Sequence, residues 1–249
     1  MIGRTLSHDR VTAALGAGGM GEVYRATDTT LGRDVAIKIV RAGRAYDAET
    51  KARFEREARA TSALVSPHTV TVFDFGESAD GSWFLAMELL EGESLGERLR
   101  RVTRLQVADA VRIARQAAVS LGEAHTKGII HRDLKPDNLF LTHVPVKSGE
   151  PEEIVKVLDF GIAKLVRGDD QHVDQLETQA GTVFGTPRYM SPEQAQGAAL
   201  DARTDVYSLA VILYQMLAGR PPFVDDDAVV VMACHIKDDP PRLAQVAPE

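Results

Sequence analysis

His131-Arg132-Asp133-Leu134-Lys135-Pro136-Asp137-Asn138, followed downstream by Asp159-Phe160-Gly161, is the stretch whose reading decides this chain. It sets out an aspartate, a lysine, an asparagine and a second aspartate in the order that phosphoryl transfer from ATP needs. Two upstream features agree with it: a glycine-rich stretch, Gly16-x-Gly18-x-x-Gly21, and the apolar run Val35-Ala36-Ile37-Lys38. Any one of these could arise by chance. Four in this order are a much stronger indication.

The glycines alone say little, since a dinucleotide-binding reading shares their spacing. That reading needs a strand, the glycines, a helix and then an acidic residue. Here Glu22 to Thr27 has strand character and Lys38 follows, so the glycines are expected to join two strands. Glycine there lets backbone N–H groups approach phosphate oxygens with no Cβ in the way.

With 249 residues the chain can bury a full core as one large domain or two small lobes. Its 44% hydrophobic and 26% charged content is that of a soluble globular protein. A net charge of -7 argues against nucleic acid as the main partner. Cys234 is the sole cysteine, which excludes an internal disulfide framework and fits a reducing, cytoplasmic setting. Arg4, His8, Asp9 and Arg10 interrupt the N-terminus, so no signal peptide is visible. The most apolar run, Val206 to Ala218, falls short of the roughly 20 residues that span a bilayer. No membrane contact is expected within this chain.

The front part reads as strands at Val11–Leu15, Val23–Thr27, Asp34–Val40, Val70–Phe75 and Ser82–Leu90, with one helix over Thr50–Leu64. Beyond Glu91-Gly92-Glu93 the pattern turns helical. Val107–His125 carries apolar residues at Val107, Ala110, Val111, Ala114, Ala117, Ala118 and Leu121, close to the 3.6 period. Asp205–Ala218 is apolar almost all round and predicts a central buried helix, stopped by Gly219 and Pro221-Pro222. Asp225–Ile236 predicts another. The expected fold class is α+β in two lobes, with a five-stranded antiparallel sheet plus one helix in front and a mainly α-helical lobe behind. A join near Glu88 to Glu93 would place a ligand cleft where the lobes meet.

These motifs resemble the protein kinase family. The resemblance implies one kinase domain over 1–249, with an N-lobe at about 10–88, a hinge at 89–93 and a C-lobe from 94 on. It implies that Asp133 orients the attacking hydroxyl, that Lys135 neutralises γ-phosphate charge, and that Asn138 and Asp159 hold magnesium, with manganese an alternative. Lys38 would hold the α- and β-phosphates and pair with a helix glutamate. Glu49, Glu55 and Glu57 are on offer, and the Arg-Glu-Ala pattern favours Glu57 over its rival Glu55. Val23 and Ala36 would line the adenine pocket beside Gly16, Gly18 and Gly21. Phe140 would form its floor and Met87 its back, and Glu88 and Leu90 would supply hinge hydrogen bonds. His131 is a packing residue in this family, not a base.

Asp-Leu-Lys-Pro is similar to the loop of serine/threonine-specific members, and Gly185-Thr186-Pro187-Arg188-Tyr189-Met190-Ser191-Pro192-Glu193 resembles the end of their activation segment. Thr186 would face Asp133 and Lys135. Together with Gly18-Gly19-Met20-Gly21-Glu22-Val23-Tyr24, this wording looks like bacterial eukaryotic-like serine/threonine kinases. Arg132 before the catalytic aspartate implies pairing with a phosphate on the activation loop, with Thr178 and Thr182 as acceptors. Protein serine and threonine hydroxyls are the implied substrates, and kinase-domain dimerisation is a feature of such relatives.

Two departures stand out. His143 to Glu153 reads as an inserted polar loop at a hairpin tip. The chain also ends in a Pro-rich tail, where the family continues with helices and an arginine that pairs with the Glu193 position. Arg242 comes too early for that role, so the C-lobe is expected to be incomplete and the chain a fragment. Other readings stay open: a pseudokinase or scaffold that binds ATP, a small-molecule phosphotransferase of similar fold, and a pure binding module.

Overall fold

The computed structural model describes residues 1–18, 21–40, 48–78, 81–145, 149, 151–160 and 187–247. They form two compact units, one ending at Glu91 and the other beginning at Gly92.

In the first unit all five expected strands are present: β2 (Asp9–Gly18), β3 (Gly21–Asp28), β4 (Arg33–Val40), β5 (Val72–Glu77) and β6 (Trp83–Glu88). A two-residue strand that the sequence reading passed over, β1 (Thr5–Leu6), pairs with Asp9 and Arg10 and widens the sheet to six. So short a run carries no readable alternation. The sheet is antiparallel throughout, in the order β1-β2-β3-β4-β6-β5.

β4 is buried from Val35 to Val40 because both of its faces are covered. Val35, Ile37 and Ile39 join Val11, Tyr24, Ala26, Phe84 and Ala86 in one apolar core. The alternate residues point to the other face. There α1 (Ala48–Ser62) is anchored by Phe54, whose ring stacks on Trp83 at 4.6 Å and meets Phe75 edge-on at 6.5 Å.

The second unit opens with β7 (Gly92–Ser94) and α2 (Leu95–Val102), neither marked in the sequence reading. Ser94 and Glu97 form a reciprocal capping box that starts α2. Helix α3 (Val107–Thr126) follows. β8 (Leu139–Val144) pairs with β7 on one side and with β9 (Glu152–Val157) on the other in a three-stranded sheet. The helices α4 (Pro192–Ala195), α5 (Ala202–Ala218), α6 (Ala228–Lys237) and α7 (Leu243–Val246) come after. Gly219 closes α5 in the left-handed conformation, φ 81°, which costs glycine nothing.

Three details depart from the sequence expectation. The buried stripe of α3 includes Ile113, Gln116, Ser120 and Ala124, while Val107 and Val111 face outward. Gln116 is turned inward because its Oε1 accepts the Val155 amide of β9 at 2.7 Å. On α5, Val206 is exposed, whereas the polar Thr204, Asp205 and Ser208 are buried. Finally, the expected polar loop at 143–153 is partly sheet. His143 pairs with Glu153 and Val144 with Glu152, so the hairpin tip begins only after Val144. Glu153 is held there by Arg98 and Arg112, each at 2.7 Å.

Candidate active site

In the first unit the glycine stretch forms the expected hairpin, with Gly18 opposite Gly21 at the end of the β2–β3 ladder. Gly21 has φ 137°, and a Cβ there would run into the carbonyl oxygen of Ile39. Only glycine closes the hairpin so near β4.

Register places the next candidates. Val23 lies opposite Lys38, Lys38 opposite Leu85, and Ala36 opposite Met87. Residues directly opposite share a face, so Val23, Ala36, Lys38 and Met87 stand on the sheet face away from the apolar core. Lys38 is buried on that face despite its charge. Trp83 and Leu85 share it too, and Phe54 on Trp83 fixes α1 above it. Phe54 and Ala58 mark the inner side of α1. Glu57 is half-buried beside them, while Glu55 is exposed. At the end of β6, Glu88 already uses its amide on the Thr71 carbonyl at 2.9 Å. Its Oε1 accepts the Thr71 amide at 2.7 Å.

The second unit brings together the residues of the His131–Asn138 run. Asp133 accepts from Lys135 Nζ at 2.8 Å on Oδ2. Asn138 is buried and donates from Nδ2 to the Asp133 carbonyl at 2.9 Å. That bond orients the side chain so that its Oδ1 is the atom able to meet a cation. Asn138 also ties to the segment before Asp159, because the Leu158 amide donates to its carbonyl at 2.9 Å. Phe140 follows on β8, half-buried.

Two non-glycine residues here take left-handed backbone: Arg132 at φ 65° and Asp159 at φ 58°. Such conformations cost about 1–3 kcal/mol each and persist only where surroundings over-determine them. The surroundings are explicit. Asp205, fully buried on α5, accepts the amides of His131 at 2.8 Å and Arg132 at 2.9 Å, with His125 Nε2 also at 2.7 Å. The Arg132 carbonyl takes Gln194 Nε2 at 2.6 Å. His131 accepts the Asp133 amide on Nδ1 at 3.3 Å, so its Nε2–H donates to the Leu158 carbonyl at 2.8 Å. Phe160 packs on its ring at 5.0 Å. His131 thus brackets the two loops.

The sequence matches the protein kinase domain family over residues 10–246. The chain belongs to the protein kinase family. It is 44% identical over 249 residues to the serine/threonine-protein kinase pkn3 of Myxococcus xanthus, covering 100% of this chain and 44% of that protein. It is 41% identical over 247 residues to PknA of Mycobacterium tuberculosis, covering 97% of this chain and 54% of the relative. The kinase domain of Mycobacterium tuberculosis PknI superposes with a TM-score of 0.75 at 29% identity, covering 100% of this chain and 86% of that one. The chain spans about half, or less, of the length of these curated relatives.

Within this kinase domain, sequence reading missed Asp205, Gln194 and Thr204. Asp205 was visible only as the polar start of an apolar helix, and nothing local ties it to residues more than seventy positions upstream. Glu193, for which the sequence suggested an arginine partner, accepts from Thr204 Oγ1 at 2.7 Å. Burial alone would raise its carboxyl, but that bond and nearby hydrogen bonds hold it below the usual range. Thr178, Thr182, Thr186 and Gly185 lie outside the described residues. Among the described residues no helix is long and apolar enough to cross a membrane.

Proposed function

We propose that this chain is an ATP-dependent protein serine/threonine kinase domain, transferring the γ-phosphoryl group to protein hydroxyls and to its own activation loop. The observation that carries the reading is the tie of Asp133, Lys135 and Asn138 into one cluster, braced from beneath by Asp205. Phosphoryl transfer asks for positioning and electrostatics, and a cluster already held costs no reorganisation at the moment of reaction.

In this reading Asp133 receives the proton of the incoming serine or threonine hydroxyl. Lys135, seated on that carboxylate, turns to the γ-phosphate as its charge builds. Asn138 and Asp159 offer oxygen atoms, a donor set that suits magnesium or manganese. The ion, when bound, neutralises phosphate charge. Lys38 binds the α- and β-phosphates and Glu57 holds it there, a choice supported by the outward position of Glu55. Gly16, Gly18 and Gly21 bring backbone amides to the phosphates. Val23, Ala36 and Met87 share the face that would meet adenine, with Phe140 beneath it. Because the Glu88 amide is engaged by Thr71, Glu88 serves through its carbonyl, and Leu90 is the second hinge residue. Phosphate on Thr178 or Thr182 would pair with Arg132, and Thr186 would contact Asp133 and Lys135.

Phosphate transfer from γ-labelled ATP with magnesium tests this against Asp133→Asn, with phosphosites mapped on the product. Label on Thr178 or Thr182, cut at least about 100-fold in the variant, is the expected result. ATP bound without label in the parent chain would overturn it and leave an ATP-binding scaffold. An unchanged rate in a Thr178→Ala, Thr182→Ala double variant would remove the activation-loop part.

A further inference from the structure

We propose that the end of the first unit's sheet opposite the glycine hairpin holds a divalent cation of the zinc type, bound by His8, Asp9 and Asp28. Asp9 opens β2 directly opposite Asp28, which closes β3. Like charges in that position repel. The two carboxylates are treated very differently. Asp28 Oδ1 accepts the amides of Thr30 and Leu31, both at 2.9 Å, and its Oδ2 faces Arg33 Nε at 3.4 Å and His8 Nε2 at 3.8 Å. Asp9 is 1% exposed, and both of its carboxylate oxygens are buried without a hydrogen-bond partner. Protonation would not resolve this, since a carboxylic acid still needs an acceptor for its hydrogen.

Asp9 lines a cavity of about 440 Å³ shared with His8, Asp28, Arg33 and Asp74 and walled on the apolar side by Val35 and Ala86. Three carboxylates against one guanidinium leave a surplus of negative charge that matches a dication. Arg33 does not fill the role, because its guanidinium lies over the Phe73 ring at 3.6 Å and reaches Asp28 rather than Asp9. One ligand atom from each of His8, Asp9 and Asp28 lies within 4.8 Å of the others, the span expected across a single ion. Ser7 Oγ sits 3.0 Å from His8 Nδ1, which can hold that nitrogen protonated and turn the Nε2 lone pair toward the carboxylates. One imidazole with two carboxylates suits zinc better than the all-oxygen shells of magnesium or calcium. The ion would clamp the β1–β2 turn to the β3–β4 turn.

The test is calorimetric titration of zinc chloride into the chain without nucleotide, after treatment with chelator. One equivalent is expected, accompanied by a zinc-dependent rise in melting temperature. Asp9→Asn should weaken binding at least about tenfold and abolish that rise. His8→Ala, a change on an exposed turn, should do the same while leaving the metal-free melting temperature in place. Asp159→Asn, which alters the magnesium site of the proposed kinase mechanism, should leave zinc binding intact. Absence of binding, or binding in the His8 and Asp9 variants as tight as in the parent chain, would overturn the proposal. Binding lost only in Asp159→Asn would overturn it as well.

Discussion

Asp205 and Asp9 are both buried, 0% and 1% exposed, yet one has hydrogen bonds on both oxygens and the other has nothing on either. Asp205 takes two backbone amides and an imidazole, and so becomes a brace for the loop that carries His131 and Arg132. Asp9 faces another carboxylate across the sheet and an apolar wall, and no donor reaches either of its oxygens. Burial by itself is therefore no guide to what an acidic side chain does. The partners decide whether the charge organises its surroundings or waits for something to organise it.

The largest effect expected from this contrast is at Asp205. Asp205→Ala strands the His131 and Arg132 amides inside the protein and releases a left-handed residue from its support. It should cost about 3–5 kcal/mol in urea unfolding, with phosphotransfer falling alongside. A loss below about 1 kcal/mol would mean that the loop is braced elsewhere. Asp9→Asn should act in the opposite direction. Replacing an unpartnered buried charge by a neutral amide relieves several kcal/mol of desolvation, while the unmet amide costs about 1–3, for a net gain of about 2 kcal/mol in metal-free buffer.

The gain at Asp9 should also depend on pH. Burial, the largest influence, holds the Asp9 carboxyl above its ordinary value of 3.8, and neighbouring His8 offsets only part of that. A raised value in the folded state means stability that is fully present below the ordinary value and lost as pH rises through the folded one. Wild type should therefore close its gap to Asp9→Asn as pH falls from 7 toward 4, and parallel melting curves would break the argument.

Much of this molecule was legible because its signals are local. The glycines, the Val35–Lys38 strand and the His131–Asn138 run are motifs of near-consecutive residues, and β-branched runs and the 3.6-residue period placed the elements that hold them. What escaped is long-range. Asp205 reads as the first turn of an apolar helix until the fold brings it beneath His131, and Gln116 reads as solvent-facing until β9 needs an acceptor. Polar residues buried for a distant partner break the apolar pattern on which core prediction rests. Glu153 escaped for the same reason, since a polar stretch with Pro145 and Pro151 reads as loop although Arg98 and Arg112 hold part of it in the sheet.

Glu153 sharpens the comparison from an intermediate position, being paired like Asp205 but open to water on one side. Its own burial would raise the carboxyl, yet Arg98 and Arg112 outweigh that and hold it below its ordinary 4.5. A lowered folded value gives stability that is present above the ordinary value and lost as pH falls through the folded one, the reverse of Asp9. Solvent screening limits the size, so Glu153→Gln should cost about 1 kcal/mol at pH 7 and progressively less as pH falls below 4.5 through the folded value. Melting temperatures across that range check both the sign and the window.

The smallest effect tests whether a single neutral donor can stand in for a fuller set. Glu193 is half-buried and receives the Thr204 hydroxyl at 2.7 Å. Thr204→Val puts a methyl group of similar size where that hydroxyl stood in a fully buried side chain, so no cavity confuses the result. A hydroxyl donating to a carboxylate that can still draw on water should be worth about 0.5–1 kcal/mol, since solvent screens the charged acceptor. Because the bond helps hold the Glu193 carboxyl low, the loss should appear near neutral pH and fade as that group protonates. A cost of several kcal/mol, matching Asp205, would instead show that Glu193 depends on Thr204 as completely as the catalytic loop depends on its aspartate.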